Sequence, residues 1–361
     1  METVLKDICE TTCEAVQLQV VVASEDFRTR DELCHGVSVK RLASLGIWFS
    51  QPVTPGILSV LRATKADLVH LHEPNPLATA AYLAAGCPGR LIVHYHSDIV
   101  RQKKLSRLYR PLLHWALRKA EAIIVGSREL LESSPVLARH RSKCVVIPFG
   151  IDLRPFLAVR RKPSAGAPLI LAVGRLSYYK GFQYLIEAMR DLPARLVIVG
   201  DGERRAELEH QIRTLGLQHK VLLSGQTSFA RLLDYYAEAD LFCLPSCHAS
   251  EAFGLVMVEA MAAGLPVVST DLPTGVRSVN AHGQTGLVVP PAQVEPLRAA
   301  LALLSLQRGL RERLGQNGRA RAQEIFSREK MGRQILNLYG AVCPGPKAAL
   351  PPSAVDKVAH P

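Results

Sequence analysis

The sequence predicts an α/β protein built from two doubly wound, Rossmann-like domains. Three observations carry that expectation. The chain has 361 residues, enough for about two domains that each bury their own core. Short β-branched runs alternate with longer helical patterns along its length. The runs are apolar on both faces, as strands of a parallel sheet covered by helices must be.

The first domain, expected over 1–153, opens on a helix: Val4, Leu5, Ile8, Cys9 and Val16 form an apolar stripe that starts almost at Met1. A doubly wound domain normally opens with a strand and a glycine-rich turn. This one is therefore expected to lack its first strand, through a translation start set too far downstream. Strands follow at LQVVVAS (18–24), ADLVHLH (66–72), RLIVHYH (90–96), EAIIVGS (121–127) and KCVVIPFG (143–150). RPFLAVRRKPSAGAP is rich in Pro, basic and small residues and has no sustained periodicity, so 154–167 is expected as the linker.

The second domain, expected over 168–326, has strands at PLILAVG (168–174), RLVIVG (195–200), KVLLSG (220–225), DLFCLPS (240–246), PVVST (266–270) and TGLVVP (285–290). Helical patterns such as GFQYLIEAMRDL and RRAELEHQIRTLGL separate them. A last helix over 327–340 is expected to pack back on the first domain, and the Pro- and Ala-rich 341–361 to be a disordered tail.

Composition narrows the partners. The chain carries 44 Lys plus Arg against 32 Asp plus Glu, a net charge of +12. That balance suits a nucleic acid, a phosphorylated substrate or an acidic membrane surface. Aromatic residues make up 6% and no nucleic-acid-binding motif is present, so no nucleic-acid partner is expected. The eight cysteines lack the paired sets of a zinc site; Cys9/Cys13 and Cys243/Cys247 are expected as reduced packing residues of a cytosolic protein. METVLKDICE is acidic and has no basic segment followed by an apolar core, so no signal peptide is expected. No run approaches the ~20 apolar residues of a membrane span. The protein is expected in the cytoplasm, with any membrane contact peripheral, on the inner face.

The second domain carries the chemistry. Strand PLILAVG ends at Gly174, Arg175 follows, and Lys180 with Gly181 opens a helix. Ligands bind beyond the carboxyl ends of strands in such sheets, and two cations beside a helix N-terminus can hold an anion there. Taken alone, they can equally be solvated cations on a loop. There is no GxxxxGK[ST], which sets a P-loop ATPase aside. SEAFGLVMVEAMAAGLPVVST places Glu251 in the loop after another strand, Gly254 where a helix begins, and Glu259 eight positions on. The N–H groups of Phe253, Gly254 and Leu255 can face a phosphate or a sugar hydroxyl. Carboxylates accept hydrogen bonds from vicinal hydroxyls, as dinucleotide sites do with ribose. Cations for a diphosphate and carboxylates for two polyols describe a nucleotide sugar.

GRLSYYKG followed by PSCHASEAFGLVMVEAMAAGLPVVST, with IPFGID at the domain join, resembles the retaining glycosyltransferases of family four. Their GT-B fold sets two such domains face to face across a cleft. The resemblance implies that Gly174, Arg175 and Lys180 hold the donor diphosphate. It also implies that Glu251 faces hydroxyls of the transferred sugar, that Phe253, Gly254 and Leu255 add backbone contacts, and that Glu259 binds the nucleotide ribose. No D-x-D triplet occurs in the chain. Charge on the leaving diphosphate would meet Arg175, Lys180 and helix dipoles. No metal and no cofactor are expected, the nucleotide diphosphate sugar being a co-substrate.

In the first domain His96 closes a strand, a place where histidine is more often structural than catalytic. The resemblance places it facing the reacting sugar, as a neutral imidazole that orients the donor. It also implies retention by a same-face mechanism in which the donor phosphate helps deprotonate the acceptor. Residues 99–119 set an apolar stripe (Ile99, Leu105, Leu108, Leu112, Leu113) beside seven cations and no acidic residue. This is either a packed helix with a solvated basic face or a surface that docks on anionic lipid, which suits a lipid-linked saccharide acceptor. HYHSDIVRQK resembles mannosyl- and rhamnosyltransferases of bacterial O-antigen assembly, implying a GDP-sugar donor. Two other readings stand beside the transferase. One is a sugar-nucleotide-binding remnant without turnover, and the other a GT-B epimerase or phosphorylase.

Overall fold

A computed structural model of the chain describes residues 2–48, 51–99, 103–162 and 166–344. The N-terminal half contains α1 (Glu2–Thr12), β1 (Gln19–Ala23), β2 (Arg30–Cys34), β3 (Val37–Leu42), β4 (Ile47–Trp48), β5 (Gln51–Pro52), α2 (Ile57–Ala63), β6 (Leu68–Glu73), α3 (Pro76–Ala84), β7 (Arg90–Tyr95), α4 (Lys103–Lys119), β8 (Ala122–Val125), α5 (Arg128–Ser133), β9 (Cys144–Val146) and α6 (Arg154–Leu157). The C-terminal half contains β10 (Leu169–Val173), α7 (Phe182–Ala188), β11 (Arg195–Val199), α8 (Arg205–Thr214), β12 (Val221–Gly225), α9 (Phe229–Glu238), β13 (Leu241–Leu244), α10 (Leu255–Ala262), β14 (Val267–Thr270), α11 (Gly275–Val279), β15 (Gly286–Val289), α12 (Val294–Leu306), α13 (Arg308–Ile325) and α14 (Arg328–Val342).

The C-terminal sheet is parallel with strand order β12-β11-β10-β13-β14-β15. The order reverses between β10 and β13, which opens a crevice at their carboxyl ends. β13 and β14 are buried along their whole length, as strands covered on both faces must be. The N-terminal strands do not form one sheet. Parallel β6-β7-β8-β9 makes one ladder, β1-β3-β2 a second and the β4-β5 pair a third. Among the described residues no ladder joins β1 to β6. β1 and β6 therefore each stand at a sheet edge.

Helix α4 corrects one expectation. Its buried side is Tyr109, Leu113, Ala116 and Leu117, at the spacing of a single helix face. Leu113 of the expected stripe lies on that face and Ile99 and Leu112 pack against the same core, whereas Leu108 falls off it and is 80% exposed. Residues 100–102, including Arg101, and the side chains of Lys103, Lys104 and Leu105 lie outside the described residues.

The two halves share a core. One apolar cluster runs from Val4 and Ile8 through Phe149 and Phe253 to Met331 and Ile335. Helix α14, capped by the Ser327 hydroxyl, which accepts from the Lys330 N–H, crosses back and lies on α1. Near its end the Tyr339 hydroxyl meets His70 Nδ1 at 2.6 Å, and Arg90 donates to the Val342 carbonyl at 2.6 Å. Ala341 and Val342 thus belong to this helix rather than to the expected tail, because Val342 is buried in the shared core. The rest of that tail, 345–361, lies outside the described residues. Within the expected linker α6 forms a single short helix with Phe156 buried. Among the described residues no helix is long and apolar enough to cross a membrane.

Candidate active site

The loops after β10 and β13 meet at the point where the strand order reverses. The backbone N–H of Cys247 donates to the Tyr179 carbonyl at 2.8 Å, and the Tyr178 and Ser250 hydroxyls pair at 2.9 Å. These bonds lay Lys180 against Glu251. Lys180 Nζ stands 2.6 Å from Glu251 Oε2, with both side chains buried, and the Ser246 hydroxyl donates to the same oxygen at 2.8 Å. The lysine reaches there past Gly174, where a Cβ would stand 3.1 Å from its Cε and 3.2 Å from its Nζ. Arg175 points outward at 72% side-chain exposure, 3.3 Å from Glu203. It is an exposed cation at the rim, paired with Glu203, where Lys180 is a buried one.

Gly254 caps α10 in the left-handed conformation (φ 79°), and no side chain caps this helix end. The turn aims the backbone at the crevice and leaves it open to an external acceptor. Phe253 is buried, its ring edge-on to Phe149 at 4.9 Å, while Leu255 is half-buried. One turn further along α10, Glu259 accepts from the Tyr236 hydroxyl at 2.8 Å and keeps part of its surface open. Burial pushes its carboxyl up to about 7, against the opposing pull of the Tyr236 hydrogen bond and the Lys180 charge.

Across the crevice four imidazoles line one face of β6 and β7. His70 and His72 lie two apart, as do His94 and His96, and His72 is in register with His94. His96 Nε2 meets His72 Nδ1 at 2.8 Å, so one ring donates and the other accepts. Phe149 stacks on His96 at 5.3 Å and on His94 at 5.5 Å, and through Phe253 it links the histidine row to the Glu251 loop. Burial drives His70, His94 and His96 well below the usual imidazole range and brings His72 down to about 4. All four are neutral at physiological pH. His70, His72 and His94 form the one group of three metal-capable side chains among the described residues, each with a nitrogen within 4.8 Å of the others.

Residues 157–321 match the family described as Glycosyl transferases group 1, and residues 1–154 match Glycosyltransferase Family 4. The D-rhamnosyltransferase WbpZ of Pseudomonas aeruginosa is 36% identical over 274 residues, 73% of this chain and 71% of that one. The chain belongs to the group 1 glycosyltransferases. The O-antigen chain mannosyltransferase C of Escherichia coli is 32% identical over 296 residues, 79% of this chain and 80% of that protein. Among solved structures, HepE of Anabaena in complex with UDP superposes with a TM-score of 0.75 at 21% identity, covering 94% of this chain and 96% of that one. Sucrose-phosphate synthase of Thermosynechococcus elongatus gives 0.74 at 23% identity, over 93% and 92% of the two chains. The fold is therefore GT-B and the protein is a glycosyltransferase.

In this glycosyltransferase Lys180 and Glu251 come together as a buried pair, with Gly174, half-buried, against the lysine. Arg175 stands at the rim, and Phe253, Gly254 and Leu255 lead into α10, which carries Glu259. His96 lies on the other domain. The sequence reading missed Ser246 and Tyr236, which hold the two glutamates, and the three histidines beside His96. The paired H-x-H spacings on two strands were the available signal, because a period of two puts both residues of each pair on one face.

Glu259 supports a pH test. Ribose hydroxyls donate more strongly to a carboxylate than to a carboxylic acid. Its folded pKa of about 7 lies above the ordinary 4.5, so the stability it contributes is complete below that lower value and is lost as pH rises through 7. Donor binding favours the ionised form, so the donor-induced rise in Tm is expected to be larger at about pH 8 than at about pH 6. The Glu259→Gln variant should flatten that dependence. A flat profile in the parent protein would remove Glu259 from the ribose site.

Proposed function

We propose that this glycosyltransferase is a retaining, metal-independent hexosyltransferase. It takes a mannose- or rhamnose-like sugar from a nucleotide diphosphate donor, GDP-linked, and adds it to a lipid-linked oligosaccharide or polysaccharide precursor. It does so in the cytoplasm, at the inner face of the membrane. The observation that carries this reading is the buried Lys180–Glu251 pair at the reversal point of the sheet. One fixed cation and one carboxylate stand side by side where a diphosphate and its sugar would meet.

The chemistry follows from charge. The bond from sugar C1 to the diphosphate oxygen breaks as the acceptor oxygen bonds C1 on the same face. The acceptor proton passes to an oxygen of the departing phosphate. Lys180, Arg175 and the uncapped start of α10 supply positive potential where negative charge builds, and such preorganised groups need no reorganisation during reaction. Glu251 accepts from hydroxyls of the transferred sugar and Glu259 from the ribose. His96, neutral and held by His72, orients the donor from the opposite domain. The sugar class and the acceptor class are drawn from the D-rhamnosyltransferase and O-antigen mannosyltransferase relatives.

Thermal unfolding with GDP-, UDP- and ADP-sugars, with and without EDTA, tests this. A ligand that binds only the native state at about 100 times its Kd adds about 2.7 kcal/mol of stability. The expected result is a rise with the GDP series that EDTA leaves unchanged and that Arg175→Ala removes. A cooperative melt that no donor shifts would overturn the donor site. A second reading, a sugar-nucleotide-binding protein without turnover, is favoured by the interrupted N-terminal sheet. It predicts the same thermal shift with no transfer to any lipid-linked acceptor.

A further inference from the structure

Helix α4 and the turns at Leu137–Arg139 and Arg141–Lys143 enclose a second hollow, built from none of the donor-site residues. A cavity of about 520 Å³ is lined by Pro111, His114, Arg118, Arg139, His140 and Lys143. An adjoining one of about 400 Å³ shares Pro111, His114 and Arg139 with it and adds Arg107 and Arg110. Five permanent cations and two imidazoles therefore face this space, and no carboxylate lines it. Among the described residues none of the four arginines forms an ion pair, whereas other arginines of the chain, such as Arg277 and Arg298, do. Concentrating like charge without a counter-charge is unfavourable by itself and favours an anion that fills it.

The hollow is braced from behind. Lys143 Nζ donates to the carbonyls of Arg118 at 2.6 Å and Ala120 at 2.7 Å, which ties the turn to the end of α4. His114 Nδ1 and His140 Nε2 meet at 3.0 Å across the floor, joining helix and turn a second time. The arginines around these fixed groups remain exposed.

The flank of the hollow is apolar and open. Leu108 is 80% exposed and Trp115, two turns along α4, is 45% exposed. Seven positions apart, the two side chains stand one above the other on the helix surface, and Pro111 and Arg118, which line the hollow, lie four positions before and three after Trp115 on the same side. Indole at a basic helix face suits the boundary between lipid headgroups and acyl chains, where its ring is half in each medium. A soluble phosphate would give no reason to expose a leucine and a tryptophan next to its site.

We infer that this hollow seats the phosphate of an anionic bilayer lipid, with Leu108 and Trp115 entering the interface beside it. The inference rests on the reading that this enzyme meets its acceptor at a membrane, and it names the residues that hold the enzyme there. Arg118 and Arg139, on opposite walls, fork onto the phosphate oxygens. Arg107 and Arg110 extend the attraction along the surface.

The test uses the full chain carrying Trp48→Phe, which leaves Trp115 as the one tryptophan of two. Vesicles of phosphatidylcholine are compared with vesicles containing phosphatidylglycerol at roughly one lipid in three. The expected result is a blue shift of Trp115 emission and co-sedimentation with the anionic vesicles only. Arg118→Gln with Arg139→Gln should weaken that binding about thirtyfold, from two cations near an anionic surface. The double Lys variant should keep most of it, which controls for folding. Equal binding to both vesicle types, or an Arg118/Arg139 double Gln variant that binds as tightly as the parent, overturns the inference. Sodium pyrophosphate that raises the parent's Tm through these arginines while vesicles leave Trp115 unmoved also overturns it, in favour of a soluble anion. The donor-induced thermal shift is measured on the same proteins. Its retention in the double Gln variant separates this site from the donor site, and its absence in the parent counts against the transferase reading alone.

Discussion

Lys180→Met is expected to lower turnover by about 10²–10³-fold, the usual loss when a preorganised group facing developing charge is removed. The lysine is a buried cation at the reversal point of the sheet, fixed by its ion pair. Its Nζ is 2.6 Å from Glu251, and Gly174 leaves the space through which it passes. Arg175, exposed at the rim, can follow a diphosphate but is not pre-aimed at it. The same substitution strands Glu251 as a buried carboxylate with the Ser246 hydroxyl as its remaining partner, so it also costs about 3–5 kcal/mol of stability.

The two effects separate in a double variant. Lys180→Met with Glu251→Gln removes both charges, so its Tm should recover most of what the single variant loses. Its turnover should stay low, because the group facing the leaving diphosphate is still gone. Melting curves and initial rates on the parent, both single variants and the double variant complete the cycle. Normal transfer by Lys180→Met would refute the role assigned to this lysine. If turnover recovered together with Tm, the loss would be one of folding and not of chemistry.

The strands of both domains were legible where burial on two faces forces a continuous β-branched run: AIIV, LILAV, RLVIV and VVST all fall within the expected segments. The hairpin of β2 and β3 escaped because its strands are charged, with Asp31, Glu32, Lys40 and Arg41 pairing on an exposed surface. Its local signal was the His35–Gly36 turn, both residues at positive φ (50° and 79°), the geometry that joins two strands most tightly. The donor site was legible as a set of residues and not as contacts. Spacing placed Lys180 and Glu251 at strand ends, but their ion pair depends on β10 lying next to β13, which is a property of strand order. The exposure of Leu108 was hidden for the complementary reason. A helix with apolar residues on more than one side does not declare which side its sheet will cover.

Arg328→Ala is expected to cost about 3–5 kcal/mol, because it uncovers a group of carboxylates rather than one. The guanidinium is 14% exposed and lies 2.5 Å from Glu10, 3.4 Å from Asp152, 3.5 Å from Asp7 and 3.3 Å from Glu329. It joins α14 to α1 and to the segment where the domains meet, beside the backbone bonds between Ile151 and residues 326–328. At about 1.3 °C per kcal/mol for 361 residues, from an unfolding entropy of about 2.1 cal/mol/K per residue, the Tm should fall by roughly 4–7 °C. The deficit should depend on pH. Burial raises the Asp7 carboxyl to about 6 from the ordinary 3.8, although Arg328 pulls it down by charge and hydrogen bond. A folded pKa above the unfolded one means that this group's contribution to stability is complete below about 3.8 and is lost as pH rises through 6. Without Arg328 the folded carboxyl of Asp7 is pushed further up, while the unfolded-state titration is common to both proteins, so the gap is smallest below about pH 5, where Asp7 is protonated in both, and widens as pH rises from about 6 to about 8. Melting curves for both proteins across that range measure the gap directly. A gap that stays constant with pH would mean that Arg328 acts through packing on α1, and the account of it as the shared counter-ion of Asp7, Glu10 and Asp152 would fail.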